Sequence, residues 1–461
     1  AFITGALKET FKNPYRKIRT GSERIDDIVT NKYLGFPIFV AILFIMFYAT
    51  FNLGAYPMNW IDSGIIALGN FISGIMQDGM LKDLLVKGII SGTGSVLIFL
   101  PNILILFFFI SLLEESGYMA RAAFITDNIM HRFGLHGRSF IPLIMGFGCN
   151  VPAIMATRSM RNRGHRLLTM MIIPFMSCSA RLPVYILIIS AFFQQYQALI
   201  LIGIYAVGIF FAFVTAQILN MAVFKKKEIP YVMELPSYRL PTARNIFYHM
   251  WDKTHHYLKK IGTVILIGVI IIWSLEYFPR YTEQTEVYQS KLEEIRQNDN
   301  LSPEQKEELQ SEVILEQESN RLVNSYLGQI GRKIEPVMRP LGFDWKMSIS
   351  LVAGLPAKEI IVSTMGVIYQ SNESESTVNL QKRLQNEEHM TGELKGEKVF
   401  TTPAALAFLI FILLYFPCVG VVATIKNESE SWGWAAFVVF YTTALAWISA
   451  FGVYHIASFL L

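Results

Sequence analysis

The chain has 461 residues, of which 52% are hydrophobic and only 16% charged, where soluble globular domains carry roughly 25% charged residues. With 40 Lys and Arg against 36 Asp and Glu, it lacks the strong basic field of a nucleic-acid-binding protein, so no nucleic acid partner is expected. The charges stand in blocks between long uncharged runs, which predicts an all-α polytopic membrane protein, with the lipid bilayer as its first partner. Three cysteines, all in apolar runs, make an odd number and no extracellular disulfide framework.

Residues 1–33 contain seven Lys and Arg, so this end is expected in the cytoplasm. Ala1 is not an initiator Met and no signal-peptide pattern follows, so the chain is expected to start part-way through a longer protein, with 1–33 as a cytosolic linker. Residues 34–113 form the amino-terminal membrane helices. Within them, 34–52 crosses the membrane, 65–80 lies at its interface, and 88–113 returns with a kink at Pro101. Residues 114–224 form a first unit. Its segment 139–157 contains Gly146, Gly148 and Pro152 and is flanked by Arg132 and Arg138 on one side and by Arg158, Arg161, Arg163 and Arg166 on the other. Both flanks read as cytoplasmic, which predicts a broken, re-entrant hairpin instead of a crossing. Helix 167–192 then leads out, the turn falls at 194–197, and 198–224 returns to the basic Lys225, Lys226 and Lys227. Residues 225–279 read as a cytosolic amphipathic loop and a membrane helix over 261–275, ending against Glu276 and Tyr277. Residues 280–345 read as an acidic, extramembrane helical insert, with a helix starting at Ser302, Pro303 and Glu304. Residues 346–461 form a second unit, with a partly disordered polar insert at 371–398 and apolar helices over 399–425 and 431–461. About eight transmembrane helices and two broken hairpins are expected in all.

The two units resemble each other. The stretch MGFGCNVPAIMATR from Met145 and the stretch VAGLPAKEIIVSTM from Val352 align with Ala153 opposite Ile360. Downstream, FMSCSARLPV carries Cys178 where LYFPCVGVVA carries Cys418. The offset grows from 207 to 240 residues between these pairs, an increase about as long as the second polar insert. Paired Gly/Pro-interrupted segments that enter from opposite sides are the mark of an inverted repeat with a transport site near the bilayer midplane.

Charged groups at membrane depth cost roughly 2.5–3.5 kcal/mol each on insertion scales and are functional candidates. Lys358 and Glu359 lie midway along an apolar segment and Arg181 follows Cys178 in an apolar helix, while Glu114 and Glu115 end the helix 88–113. Lys358 and Arg181 are read as gating or structural charges. Cys149 falls at the broken hairpin, Cys178 in the helix that follows it and Cys418 at the repeat-related position, and together they supply soft ligands for a borderline metal. Asn150 and the carbonyls freed at the breaks supply oxygen. The eight histidines lie mostly in loops and are assigned no metal. An intramembrane enzyme would need a nucleophile beside a base, and the apolar segments contain no Ser/His or Asp/Asp pair at helical spacing.

At these residues the sequence resembles the FeoB family of bacterial ferrous iron transporters. The matching stretches are LLEESGYMARAAF, SFIPLIMGFGCNVPAIMATR, PFMSCSARLPVY, VMELPSYRLPT, AGLPAKEIIVSTMGV and YFPCV. Ser179 departs from the Gly common there. The resemblance implies Fe2+ uptake across the bacterial inner (cytoplasmic) membrane through two gate-type repeats, with Fe2+ as transported substrate. The implied metal-handling residues are Cys149, Cys178, Cys418, Asn150, Glu114, Glu115 and Glu359. Family members also carry an amino-terminal G domain that binds GTP and Mg2+. No GxxxxGK[ST] loop occurs in this chain, so no GTP hydrolysis is expected of it. The family's partners imply contact with that G domain, with small FeoA-like and FeoC-like cytosolic proteins, and self-association as a homo-oligomer. The alternative function is a gate-type transporter of nucleosides or other small solutes.

Overall fold

The computed structural model describes residues 21–31, 33–77, 79–160, 162–223, 238, 241–279, 282–297, 303–369, 377–387 and 398–460. Most of the 1–33 linker, the lysines at 225–227 and most of the 371–398 insert lie outside these residues. Every regular element among them is a helix. Five are long and apolar enough to cross a membrane, or six if one sharply bent pair counts as a single span.

Helix α1 (Gly21–Val29) leads to α2 (Gly35–Ile75). The latter corrects the expected division into a crossing at 34–52 and an interfacial helix at 65–80, because it is one helix of 41 residues. Pro57 lies inside it and removes one hydrogen bond. Ending the helix in an apolar setting would leave several backbone groups unpaired instead. At 1.5 Å per residue α2 is about 60 Å long, roughly twice the thickness of the hydrocarbon core. The run 88–113 is indeed interrupted near Pro101, as α3 (Ser91–Ile98) and α4 (Leu100–Glu115). Helix α5 (Tyr118–Arg132) then turns away from α4 by 83° through Gly117, whose φ of 83° suits glycine.

The expected hairpin over 139–157 is α6 (Phe140–Gly148) and α7 (Asn150–Ala156), separated by an extended Cys149. The next span is not the continuous helix expected over 167–192. It consists of α8 (Arg163–Ile172) and α9 (Leu182–Phe192), with an extended stretch at Met176 and Cys178 between short 3-10 turns. Cys178 therefore lies in a break and not in a helix. Pro174, which cannot donate a helix hydrogen bond, accounts for it. Helix α10 (Gln197–Ala222) closes the first unit.

Helix α11 (Ala243–Tyr277) runs unbroken through the basic stretch read as loop and into the apolar stretch. The acidic insert folds as a helical pair, α12 (Thr282–Gln297) and α13 (Pro303–Asn324). After α14 (Tyr326–Met338), the second broken hairpin comprises α15 (Trp345–Ala353) and α16 (Ile360–Ile368). Within the polar insert, α17 (Thr377–Asn386) packs on α9, with Gln381 donating to Ser190 at 2.6 Å. A second broken span follows, α18 (Thr402–Leu414) and α19 (Val419–Ser429), and Cys418 lies at its break. Helix α20 (Trp432–Leu460) packs along α18 and ends the fold. The order of hairpin with a break, span with a break, and unbroken helix thus recurs in both halves. The main core is a large apolar cluster running through both, with a smaller one at Phe39, Tyr118 and Ala122.

Candidate functional site

The four breaks meet at one cavity of about 110 Å³, room for several waters or a partly hydrated ion. Cys149 and Asn150 come from the first hairpin, Cys178 and Arg181 from the first broken span, Lys358 and Glu359 from the second hairpin, and Cys418 from the second broken span. Seven of the nine residues singled out from sequence thus line one space. Glu114 and Glu115 do not: they stand at the α4–α5 bend, away from the cavity lining.

In each half the two breaks are tied together. In the first, the Ser179 hydroxyl donates to the Gly148 carbonyl at 3.1 Å. In the second, the Val419 amide donates to the Leu355 carbonyl at 3.1 Å, and the Lys358 ammonium donates to the Phe416 carbonyl at 2.8 Å while lying 3.3 Å from the centre of the Tyr415 ring. Arg181 in the first half instead closes the break of its own span, donating to the carbonyls of Pro174 at 3.1 Å and Met176 at 3.4 Å. These are carbonyls that the broken helices leave without an intrahelical donor, and a cation complements the negative end of a helix. Arg181 and Lys358 are 1% and 2% exposed, so each is a buried cation stitched to a helix break.

The thiols stand where helices begin. Cys149 and Cys418 are the residues immediately before α7 and α19, and Cys178 precedes a 3-10 turn. All three are free and partly buried. Among the described residues, no three His, Cys, Asp or Glu side chains stand together in metal-coordinating geometry. The thiols therefore share the cavity without forming a preassembled cluster.

One lining residue escaped the sequence reading. Asn102, two positions into α4, also lines the cavity. Its Oδ1 and that of Asn150 are buried without a hydrogen-bond partner among the described residues, as is the Arg181 Nε. Buried polar atoms are usually satisfied, so two orphan amide oxygens lining one cavity point to a water or cation that completes them. The available signal was a lone amide directly after Pro101 in an otherwise apolar run. Gly54 makes room for it, because a Cβ there would lie 1.6 Å from Asn102 Oδ1.

The family described as "Gate: Nucleoside recognition" matches residues 96–192 and 258–432, and the one described as "Ferrous iron transport protein B C terminus" matches 201–253. The chain is 50% identical over 459 residues to the "Fe(2+) transport protein A/Fe(2+) transporter FeoB fusion protein" of Porphyromonas gingivalis, covering 99% of this chain and 54% of that protein. It is 40% identical over 446 residues to the "Fe(2+) transporter FeoB" of Campylobacter jejuni, covering 96% and 66%, and 39% identical over 469 residues to that of Staphylococcus aureus strain MW2, covering 99% and 62%. The chain belongs to the FeoB family. It spans between about half and two thirds of the length of these relatives and corresponds to a membrane portion of FeoB. No solved structure matches it. Both Gate segments contain a broken hairpin and a broken span, so all four breaks fall within the matched residues.

Proposed function

We propose that this chain is the Fe2+ permease of a bacterial FeoB protein, and that the ion passes through the cavity where the four breaks meet. The observation that supports this best is the convergence of three thiols, one carboxylate and two unpartnered amide oxygens on that cavity. Such a mixed S/O set suits a borderline dication, whereas Mg2+ and Ca2+ prefer oxygen alone. Cys149, Cys178, Cys418, Asn150 and Glu359 ligate the ion in turn. Glu114 and Glu115 meet it outside the cavity, and Lys358 and Arg181 hold the breaks in shape. The names of the relatives support Fe2+ as the substrate over a nucleoside.

In the same reading, the chain crosses the inner membrane about eight times, with two re-entrant hairpins inverted relative to each other. The units are divided as 1–33, 34–113, 114–224, 225–279, 280–345 and 346–461. The chain does not itself hydrolyse GTP. A G domain regulates it from the cytoplasmic side, and an FeoA-like protein is a partner, a pairing supported by the name of the Porphyromonas gingivalis fusion. FeoC-like proteins and a second copy of the chain complete the proposed partners. The test is Fe2+ uptake into anaerobic proteoliposomes, with and without excess nucleoside as competitor. Protein-dependent Fe2+ uptake indifferent to nucleoside is expected. Nucleoside uptake without Fe2+ uptake would favour the alternative.

A further inference from the structure

A second cavity, of about 500 Å³, borders the second hairpin. Three helices frame it, each through one face. Helix α16 contributes Ile360, Ser363, Thr364 and Val367, the spacing of a single helical stripe. Helix α11 contributes Glu276 from its last turn, and α13 contributes Glu318 and Arg321, one turn apart. Glu359 lines the central cavity and the next residue, Ile360, lines this one, so the start of α16 borders both.

Helix α11 fixes where this cavity stands relative to the basic face that carries Arg132, Arg138, Arg158 and Arg166. Asp252 on that helix lies within electrostatic reach of Arg158, and the helix runs unbroken from there to Glu276. The rise from position 252 to position 276 is about 36 Å at 1.5 Å per residue, more than the roughly 30 Å of the hydrocarbon core. The cavity is therefore at the opposite face. Basic residues mark the first face as cytoplasmic, which makes this one the outer face.

Its lining suits a hydrated cation better than a bare one. Among the described residues no three His, Cys, Asp or Glu side chains are grouped to hold a metal ion, but a shell of about six waters, at about 30 Å³ each, fits the volume. Carboxylates and hydroxyls accept hydrogen bonds from such a shell. Arg321 lies within electrostatic reach of Glu276 and 6.0 Å from the centre of the Tyr277 ring. Its Nε is buried with no hydrogen-bond partner among the described residues, as expected beside water. With both carboxylates ionised, one guanidinium leaves the acidic charge in excess, and a cleft with low-dielectric walls focuses that field.

We propose that this cavity is an outer vestibule through which a hydrated divalent cation approaches the second hairpin, with Glu276 and Glu318 concentrating it and Arg321 limiting how tightly it is held. Naming the ion as cargo rests on the transport reading, whereas the cation preference of the cavity does not.

The test is the rate at which impermeant thiol reagents of opposite charge modify Ser363→Cys in right-side-out membrane vesicles, with the wild type measured alongside to subtract the native cysteines. Ser363 is exposed within the lining. Each rate is divided by that reagent's rate with a free thiol. The expected result is modification from the outer side, at least about tenfold faster by the trimethylammonium methanethiosulfonate than by the sulfonate, with the ratio falling toward one in Glu276→Gln with Glu318→Gln. If that double variant does not fold, Arg321→Gln should raise the ratio instead. No modification from the outer side, equal rates for the two reagents, or a ratio unmoved by these replacements would overturn the vestibule. Fe2+ flux into proteoliposomes separates the two readings: flux without charge-dependent modification sinks this inference alone, and charge-dependent modification without flux in the wild type sinks the transport reading alone.

Discussion

Lys358 and Arg181 are positive charges beside a proposed path for a dication, a placement that makes sense only if their charge is used elsewhere. Each is spent on carbonyls exposed by a helix break, Phe416 for one and Pro174 with Met176 for the other. Replacing Lys358 by Met keeps the stem and leaves the Phe416 carbonyl without its donor, at a cost of about 1–3 kcal/mol. Thermal unfolding in detergent should show a lower midpoint for Lys358→Met, and an unchanged midpoint would show that the carbonyl does not depend on the ammonium. The pairing of the residue with the Gly-Leu-Pro-Ala break just before it was legible in sequence, because a charge in an apolar run demands a partner. The partner itself was not, being 58 positions away. Asn102 was missed for a related reason: one amide in an apolar run is unremarkable until folding brings it to a cavity.

Among the elements, the two broken hairpins were legible from Gly and Pro in short apolar segments between charges. The breaks in the two following spans were not, although Pro174 and Pro417 precede Cys178 and Cys418, because proline within an apolar run also fits a mere kink. The length of α2 was misread for the opposite reason, as Asp62 and the glycines after it suggested a separate interfacial helix where α2 in fact continues. Packing across the first broken span gives a direct test. Gly208 of α10 sits against the Phe175 carbonyl, and a Cβ there would lie 2.7 Å from that oxygen, a backbone atom with little freedom to move. Gly203 on the same helix faces open space. Gly208→Ala should destabilise the protein by about 1–3 kcal/mol through overpacking. Gly203→Ala should be neutral or stabilising by up to about 1 kcal/mol through helix propensity. Equal unfolding midpoints for the two variants would contradict the close approach of α10 to the break.

Across the whole molecule, the two halves are clasped at the basic face by Glu428, at the end of α19. Its carboxylate receives the Arg158 guanidinium through two hydrogen bonds, one of 2.7 Å from Nε, and lies 3.4 Å from Arg166. Arg158 and Arg166 flank the passage from α7 to α8, so the clasp joins the first hairpin and span to the second span. Its carboxylate is only 5% exposed whereas Arg158 is 47% exposed, which discounts the loss on breaking it to about 1–3 kcal/mol. Glu428→Gln should lower the unfolding midpoint accordingly, and a midpoint within error of the wild type would remove the clasp from the stability of the domain. Such long-range pairing, 270 residues apart for Arg158 and Glu428, is invisible to any local pattern, whereas the repeat of breaks that surrounds the cavity was visible as two similar stretches of sequence.

The central claim is that Fe2+ crosses through the shared cavity by way of its thiols, and the direct measurement is Fe2+ flux into anaerobic proteoliposomes for Cys149→Ser, Cys178→Ser and Cys418→Ser at matched protein levels. Serine keeps nearly the same size, so packing changes by only about 1 kcal/mol, but it exchanges a soft sulfur for a hydroxyl that binds the ion poorly at neutral pH. The account predicts a fall of at least about tenfold in flux for each variant, equivalent to about 1.4 kcal/mol in the barrier, with folding retained. Wild-type flux in all three would contradict it and leave Glu359, Asn150 and Asn102 as the ligands in the cavity.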